Sequence, residues 1–198
     1  MTATNTSKTA IANLALYYLG KSRINDIDTP TDESSRVMNQ IFDSTRIIVL
    51  RLNDWNFAKA KLTLAENTIA PINGWSKSFS LPSDFVKACQ VNDSTAYAYE
   101  IVGDNLYANE GVVILDYIKD EQDPNKYDAL FLETFAAKLA HTASFRLLRG
   151  SLSKINALEE MFNRFLRQAR NVGSQEENDD DQYYEGSWVR AARYGESI

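Results

Sequence analysis

Trp75-Ser76-Lys77-Ser78-Phe79-Ser80-Leu81-Pro82 is the stretch on which the fold turns. Trp75, Phe79 and Leu81 alternate with Ser76, Ser78 and Ser80. That two-residue period belongs to a strand with one buried and one wet face. Pro82 breaks the run, because it offers no N–H to a sheet. Further along, Phe85, Cys89 and Val91 open a second strand, and Tyr97, Tyr99 and Ile101 alternate again. Gly103-Asp104-Asn105 and Asn109-Glu110-Gly111 are turn clusters that bracket Leu106-Tyr107. Val112 to Ile118 makes a further strand. Residues 56–121 are thus predicted to form a small antiparallel meander.

On both sides of this segment the period is helical. Ile11, Leu14, Ala15, Tyr18 and Leu19 share one face, and Gly20 is a natural C-terminal stop. A capping cluster, Thr31-Asp32-Glu33, follows Pro30 and opens a second helix. Its expected inner face is Val37, Ile41, Ile48 and Leu52, and its end lies near Asn53-Asp54. After Asp123-Pro124 a third helix lines up Leu132, Ala136, Leu139, Ala143 and Leu147, with Phe131, Phe135 and Phe145 beside them. Gly150-Ser151 reads as a C-cap followed by an N-cap. A fourth helix shows Ile155, Leu158, Phe162, Phe165 and Ala169 and is expected to stop at Val172-Gly173. So short a link makes the last two helices antiparallel neighbours. The fold class is therefore α+β. Residues 1–55 and 122–173 form a bundle of four helices, 56–121 an inserted antiparallel β subdomain, and 174–198 an extended C-terminal tail.

That tail differs from the rest in composition. An acidic run, Glu176, Glu177, Asp179, Asp180 and Asp181, precedes Tyr183 and Tyr184. Gly186-Ser187-Trp188-Val189-Arg190-Ala191-Ala192-Arg193-Tyr194 follows. A tail free in water gains nothing from large amphipathic rings, whereas Trp, Tyr and Arg are enriched where proteins meet. Ser187, Trp188, Arg190, Arg193 and Tyr194, with Tyr183 and Tyr184, are the candidate partner-binding residues. The acidic run is the candidate tether. As a cation loop it lacks the alternating ligands and central Gly of an EF-hand. As a wall around a channel it would repel DNA.

Bulk properties narrow the function. The chain has 198 residues, 44% of them hydrophobic, 24% charged, with a net charge of −6. An acidic balance argues against general nucleic-acid binding, which needs a basic surface. Arg149, Lys154, Arg164, Arg167 and Arg170 in and beside the fourth helix form no continuous stripe. They read as a solvated face, a subset of which could pair with acidic groups of a neighbouring subunit. Cys89 is the only cysteine, so an internal disulfide and a cysteine-based metal cluster are both excluded. The N-terminus carries no basic and apolar leader, and the apolar run Ile47-Ile48-Val49-Leu50 is too short to cross a bilayer. A reducing cytoplasm is the expected site of synthesis.

Chemistry finds little purchase. His141 is the only histidine, set in the third helix among apolar residues. It reads first as a hydrogen-bonded structural residue. A general base would need an orienting partner and a substrate in reach. No phosphate-binding glycine loop and no nucleophile elbow occurs. No catalytic, cofactor-binding or metal-binding residue is assigned. An enzyme built around His141 and a cytosolic interaction module with an acidic docking tail are the rival readings.

Four segments together resemble the head-to-tail adaptor proteins of short-tailed bacteriophages, the tail tubular protein A family. They are Asp54-Trp55-Asn56-Phe57-Ala58-Lys59, then Phe79-Ser80-Leu81-Pro82-Ser83-Asp84-Phe85-Val86-Lys87. Next comes Asp123-Pro124 with Tyr127-Asp128-Ala129-Leu130-Phe131 and Ala136-Ala137-Lys138-Leu139-Ala140. The last is Ser187-Trp188-Val189-Arg190-Ala191-Ala192-Arg193. Val86, Lys87 and an additional Ala before Arg193 depart from the family pattern. The resemblance spans nearly the whole chain and keeps the order of parts. It implies a non-enzymatic virion protein of the neck, made in the host bacterial cytoplasm. In that family a closed ring, usually of twelve copies, joins the portal protein to the tail nozzle protein, and DNA passes through without specific binding. The C-terminal segment would run along the portal. From Gly173 to Ile198 an extended chain spans at most roughly 80 Å, enough for such a dock.

Overall fold

Ser7 and Gly20 fix the limits of the first helix. In the computed structural model, which describes residues 6–68, 71, 74–94, 97–109 and 111–176, helix α1 covers Lys8–Leu19. The Ser7 hydroxyl accepts the Ala10 N–H at 3.1 Å. Gly20 sits at φ 69°, a left-handed conformation that costs a glycine little, and donates to Tyr17 O. Helix α2 (Glu33–Leu52) opens on a capping box, in which Asp32 accepts the Ser35 N–H at 2.7 Å and Ser35 Oγ accepts the Asp32 N–H.

The inner face of α2 differs from the sequence expectation. Met38, Phe42, Thr45, Arg46, Val49 and Leu50 are buried, while Ile47 and Ile48 are exposed. Val37, Ile41 and Leu52 are half-buried. The helix is rotated by about one residue from the apolar pattern. The face that is buried has its own apolar set, Met38, Phe42, Val49 and Leu50, and carries an ion pair beside it. Arg46 is only 3% exposed and grips Asp120 with two hydrogen bonds, Nε to Oδ1 at 2.9 Å and Nη2 to Oδ2 at 3.0 Å. Asp43 completes the set. Such a bidentate pair is a strong reason to turn a charged residue inward.

Helix α3 (Ala129–Leu147) is the centre of the bundle and packs on α1, α2 and α4. Ala136, Ala137, Ala140 and Ala143 are buried, and their small side chains let the neighbouring helices approach closely. Phe131, Phe135, Leu139 and Leu147 fill the remaining space, whereas Phe145 points to solvent and Leu132 is half-buried. Arg149 and Gly150 both take positive φ at the turn, and Ser151 O accepts the Ile155 N–H as α4 begins. Helix α4 (Leu152–Glu176) buries Ile155, Leu158, Phe162, Leu166 and Ala169, and leaves Phe165 half-buried. It continues through Val172-Gly173, three residues further than expected.

The β segment is two sheets, not one meander. Strands β1 (Lys59–Thr63), β6 (Ile114–Lys119) and β3 (Phe85–Val91) form one antiparallel sheet in the order β1-β6-β3. Strands β2 (Lys77–Ser80), β5 (Asn105–Ala108) and β4 (Glu100–Val102) form the other, in the order β2-β5-β4. Only β4 and β5 are a tight hairpin, with Val102 opposite Asn105 across Gly103-Asp104. The remaining pairs join strands distant in sequence, so alternation alone could not place them. Bulges between Phe85 and Lys87 and between Ala88 and Gln90 bend β3 against β6.

The first sheet is shared between two cores. Val86 and Ile118 face the helices and join Trp55, Phe131, Phe135 and Leu139 in the larger core. Val91, Leu115 and Tyr117 face the second sheet and pack with Phe79, Leu106 and Val113. The layers run helices, first sheet, second sheet. Their joint is an aromatic cluster around Phe131, whose ring meets Trp55 edge-on at 5.0 Å, Phe57 at 4.9 Å and Tyr127 at 4.7 Å. Trp55 Nε1 donates to Val49 O at 3.0 Å, so its one polar atom is satisfied. Arg51 Nη1 donates to Val86 O at 2.7 Å, and Lys87 pairs with Asp54. Together these contacts tie helix α2 to strand β3.

Candidate docking surface

The residues assigned to partner binding all lie outside the described part of the chain. These are Tyr183, Tyr184, Ser187, Trp188, Arg190, Arg193 and Tyr194, with the tether residues Glu177, Asp179, Asp180 and Asp181. Glu176 is the last residue of α4. The described chain shows instead the surface from which that segment departs.

At this end of the bundle three elements converge. The turn after α2 supplies Asp54, Trp55 and Phe57. The start of α3 supplies Asp128 and Leu130, and the last turns of α4 supply Val172 and Gly173. They enclose a cleft of about 210 Å³. Its floor is the outer edge of the aromatic joint. Two carboxylates stand at its rim. Asp54 is paired with Lys87 and its side chain is 42% exposed. Asp128 is exposed and caps α3, accepting the Phe131 N–H at 2.7 Å. Arg170 Nη2 donates to Leu52 O at 2.9 Å, holding the end of α4 against the end of α2.

Arg164 stacks over Phe165 at 5.3 Å. Arg164, Arg167 and Glu160 line a shallow depression on the outward face of α4. Large apolar side chains also reach solvent at Phe145 and Leu152, beside the α3–α4 turn, and at Tyr17, Ile47 and Ile48.

His141 packs edge-on against Phe145, ring centroids 5.3 Å apart. Burial, then the nearby Lys138, lower its pKa from the ordinary value, and Glu159 partly opposes them. It is therefore predominantly neutral at pH 7. Cys89 is half-buried between sheet and helices, and burial followed by the Asp54 charge pushes its thiol up to about 11. Among the described residues no group of three or more His, Cys, Asp or Glu side chains is placed to hold a metal ion. No helix there is long and apolar enough to cross a membrane.

The cleft was not foreseen from sequence, although its parts were. Asp54 to Phe57 and Asp128 to Leu130 belong to two of the segments that carry the family resemblance. Only the fold shows that they touch. No protein-family model matches the chain, and no curated protein matches it.

Proposed function

We propose that this chain is a structural virion adaptor that joins the portal of a short-tailed phage to its tail nozzle. Copies would assemble as a ring around a channel for DNA, and the segment after Glu176 would anchor each copy to the portal. Each anchor can be weak, because simultaneous engagement by many copies multiplies attachment.

One observation carries the reading. The first three of the segments that resemble adaptor proteins, which lie in the described residues, fall in one connected framework rather than around a reactive group. Trp55 and Phe57 of the first segment pack on Tyr127 and Phe131 of the third. Lys87 of the second pairs with Asp54 of the first. Asp84, also of the second, accepts the Tyr117 hydroxyl at 3.1 Å and, through its carbonyl, the Asp120 N–H at 2.7 Å. A resemblance held in such a joint supports a shared architecture with a structural role.

Mixing the purified chain with portal rings and imaging the product by electron microscopy tests the proposal. The expected result is a second ring on one face of the portal. A chain ended after Glu176 should lose most of that attachment. If the full chain binds no portal, the adaptor reading fails. If the shortened chain binds with unchanged affinity, the anchor assignment fails.

A further inference from the structure

Among the described strands, every sheet edge but one is protected. Strand β3 is bulged twice against β6, and its outer side meets α2, where Arg51 Nη1 donates to Val86 O. Strand β2 is flanked by Glu66-Asn67, with a bridge from Glu66 to Phe79 and the Asn67 N–H on Ser78 O at 2.8 Å. Strand β4 is only three residues long. Strand β1, Lys59–Thr63, has five residues, no proline and no bulge against β6. Its far side is the open edge, the kind of template on which another strand can pair.

The β1–β6 register shows which groups line that edge. In an antiparallel ladder alternate residues bond the neighbouring strand. The Leu64 N–H bonds Val113 O at 2.8 Å, which makes Leu62 and Ala60 the bonded positions opposite Leu115 and Tyr117. Lys61 and Thr63 therefore turn their N–H and C=O outward, and among the described residues none bonds them. A lysine on an edge usually guards it. Lys61 does not, because its ammonium is drawn back across β6, 3.3 Å from Asp116 and 2.6 Å from Asp93. Leu62, 45% exposed, stands beside it with nothing opposite on the open side.

We propose that this edge pairs with the same edge of a second copy, antiparallel about a two-fold axis at Leu62. The Lys61 N–H donates to the Thr63 C=O of the second copy, and the Thr63 N–H to its Lys61 C=O, with the same bonds returned by symmetry. Leu62 meets Leu62 as a non-hydrogen-bonded pair, the closer of the two kinds, so the two exposed side chains cover each other. Charge and chain path select this register. A shift of two residues one way sets Lys61 opposite Lys61, and like charges directly opposite are destabilising. A shift the other way runs past Leu64, where the chain leaves this sheet to flank β2. In the chosen register Lys61 faces Thr63, its charge already matched by Asp93 and Asp116, and Lys59 faces Ala65.

The pair joins two copies of the first sheet in the order β3-β6-β1-β1-β6-β3. Growth stops there, because the outer strand on each side lies against α2. The contact buries well under the roughly 1,000 Å² of a stable complex, so the pair is transient and protein concentration decides its population. It involves neither the portal nor the segment after Glu176, so it stands or falls apart from the adaptor reading.

Amide exchange on the native chain tests this. The Lys61 and Thr63 amides should exchange about fourfold more slowly at about 1 mM protein than at about 10 μM, as a Kd of about 0.1 mM gives. Leu62→Lys, which sets two lysines face to face, should abolish that difference. In a Cys89→Ala background, Leu62→Cys should oxidise to a covalent dimer about tenfold faster than Val112→Cys, because only the former brings its sulfurs within disulfide reach. Val112 is the fairer control for being the more exposed side chain, at 63%. Exchange at Lys61 and Thr63 that does not depend on concentration overturns the proposal. So does equal cross-linking of the two cysteine variants. The exchange measurement needs no variant, so it decides even where a variant fails to fold.

Discussion

Glu121 shows how one side chain sets an acid limit on this fold. It is 6% exposed and stands between Lys119 and Lys126, each 3.0 Å away. Burial alone would raise its pKa. The Lys119 hydrogen bond, the Asp123 N–H and Lys126 outweigh it and bring the value from 4.5 down to about 2. A lowered carboxylate pKa means that the folded chain binds this proton less readily than the unfolded chain does. The stabilisation is complete above the unfolded value and is lost as pH falls from there through about 2. Allowing for screening around the exposed Lys126, its size is about 2 kcal/mol. Glu121→Gln should therefore flatten the fall in urea midpoint between about pH 5 and about pH 2.5. An unchanged fall would assign acid sensitivity to other groups. None of this is legible in Lys119-Asp120-Glu121, three consecutive charged residues at the end of the expected β segment.

At the scale of elements, helix α2 separates what sequence can tell from what it cannot. Its start was legible in the Thr31-Asp32-Glu33 cluster, because a cap is a local hydrogen bond between near neighbours, here Asp32 and Ser35. Asp32→Ala should remove that cap and cost about 1 kcal/mol, seen as a lower thermal midpoint with an unchanged fold by circular dichroism. A loss below a few tenths would show that the packed face holds the helix end without it. The inner face of α2 was misread by one residue because Met38, Phe42 and Val49 offer a second apolar set beside the expected one, and the Arg46 partner Asp120 lies 74 residues away. Strand β1, Lys59-Ala60-Lys61-Leu62-Thr63, escaped notice for a related reason. It has no strong alternation and is recruited by pairing with β6. Strands β2, β3 and β6 were legible as strands, but their assignment to two sheets was not, since it depends on non-local partners. The cleft at the end of α4 is an extreme case. Each lining segment stood out in sequence, and their meeting did not.

Across the whole molecule, the shared first sheet decides how the parts depend on one another. Its Val86 and Ile118 belong to the helical core, and its Val91, Leu115 and Tyr117 belong to the core between the sheets. Neither core can open without exposing the other's wall. The Arg46–Asp120 pair and the Arg51 link to Val86 O add short polar ties across the same boundary. A pull between the helical end and the far sheet would therefore load an apolar face and a few directional bonds in parallel. The face yields gradually, while the bonds hold until they break, so the joint should be stiff and then brittle. Handles placed by Lys21→Cys and Asp104→Cys in an optical trap should record one abrupt rip rather than two. Two separated rips would mean that the layers bear tension independently. On the proposed adaptor reading, a neck under the pressure of packed DNA would gain from members that transmit load without creeping, and a sheet walled into two cores has that property.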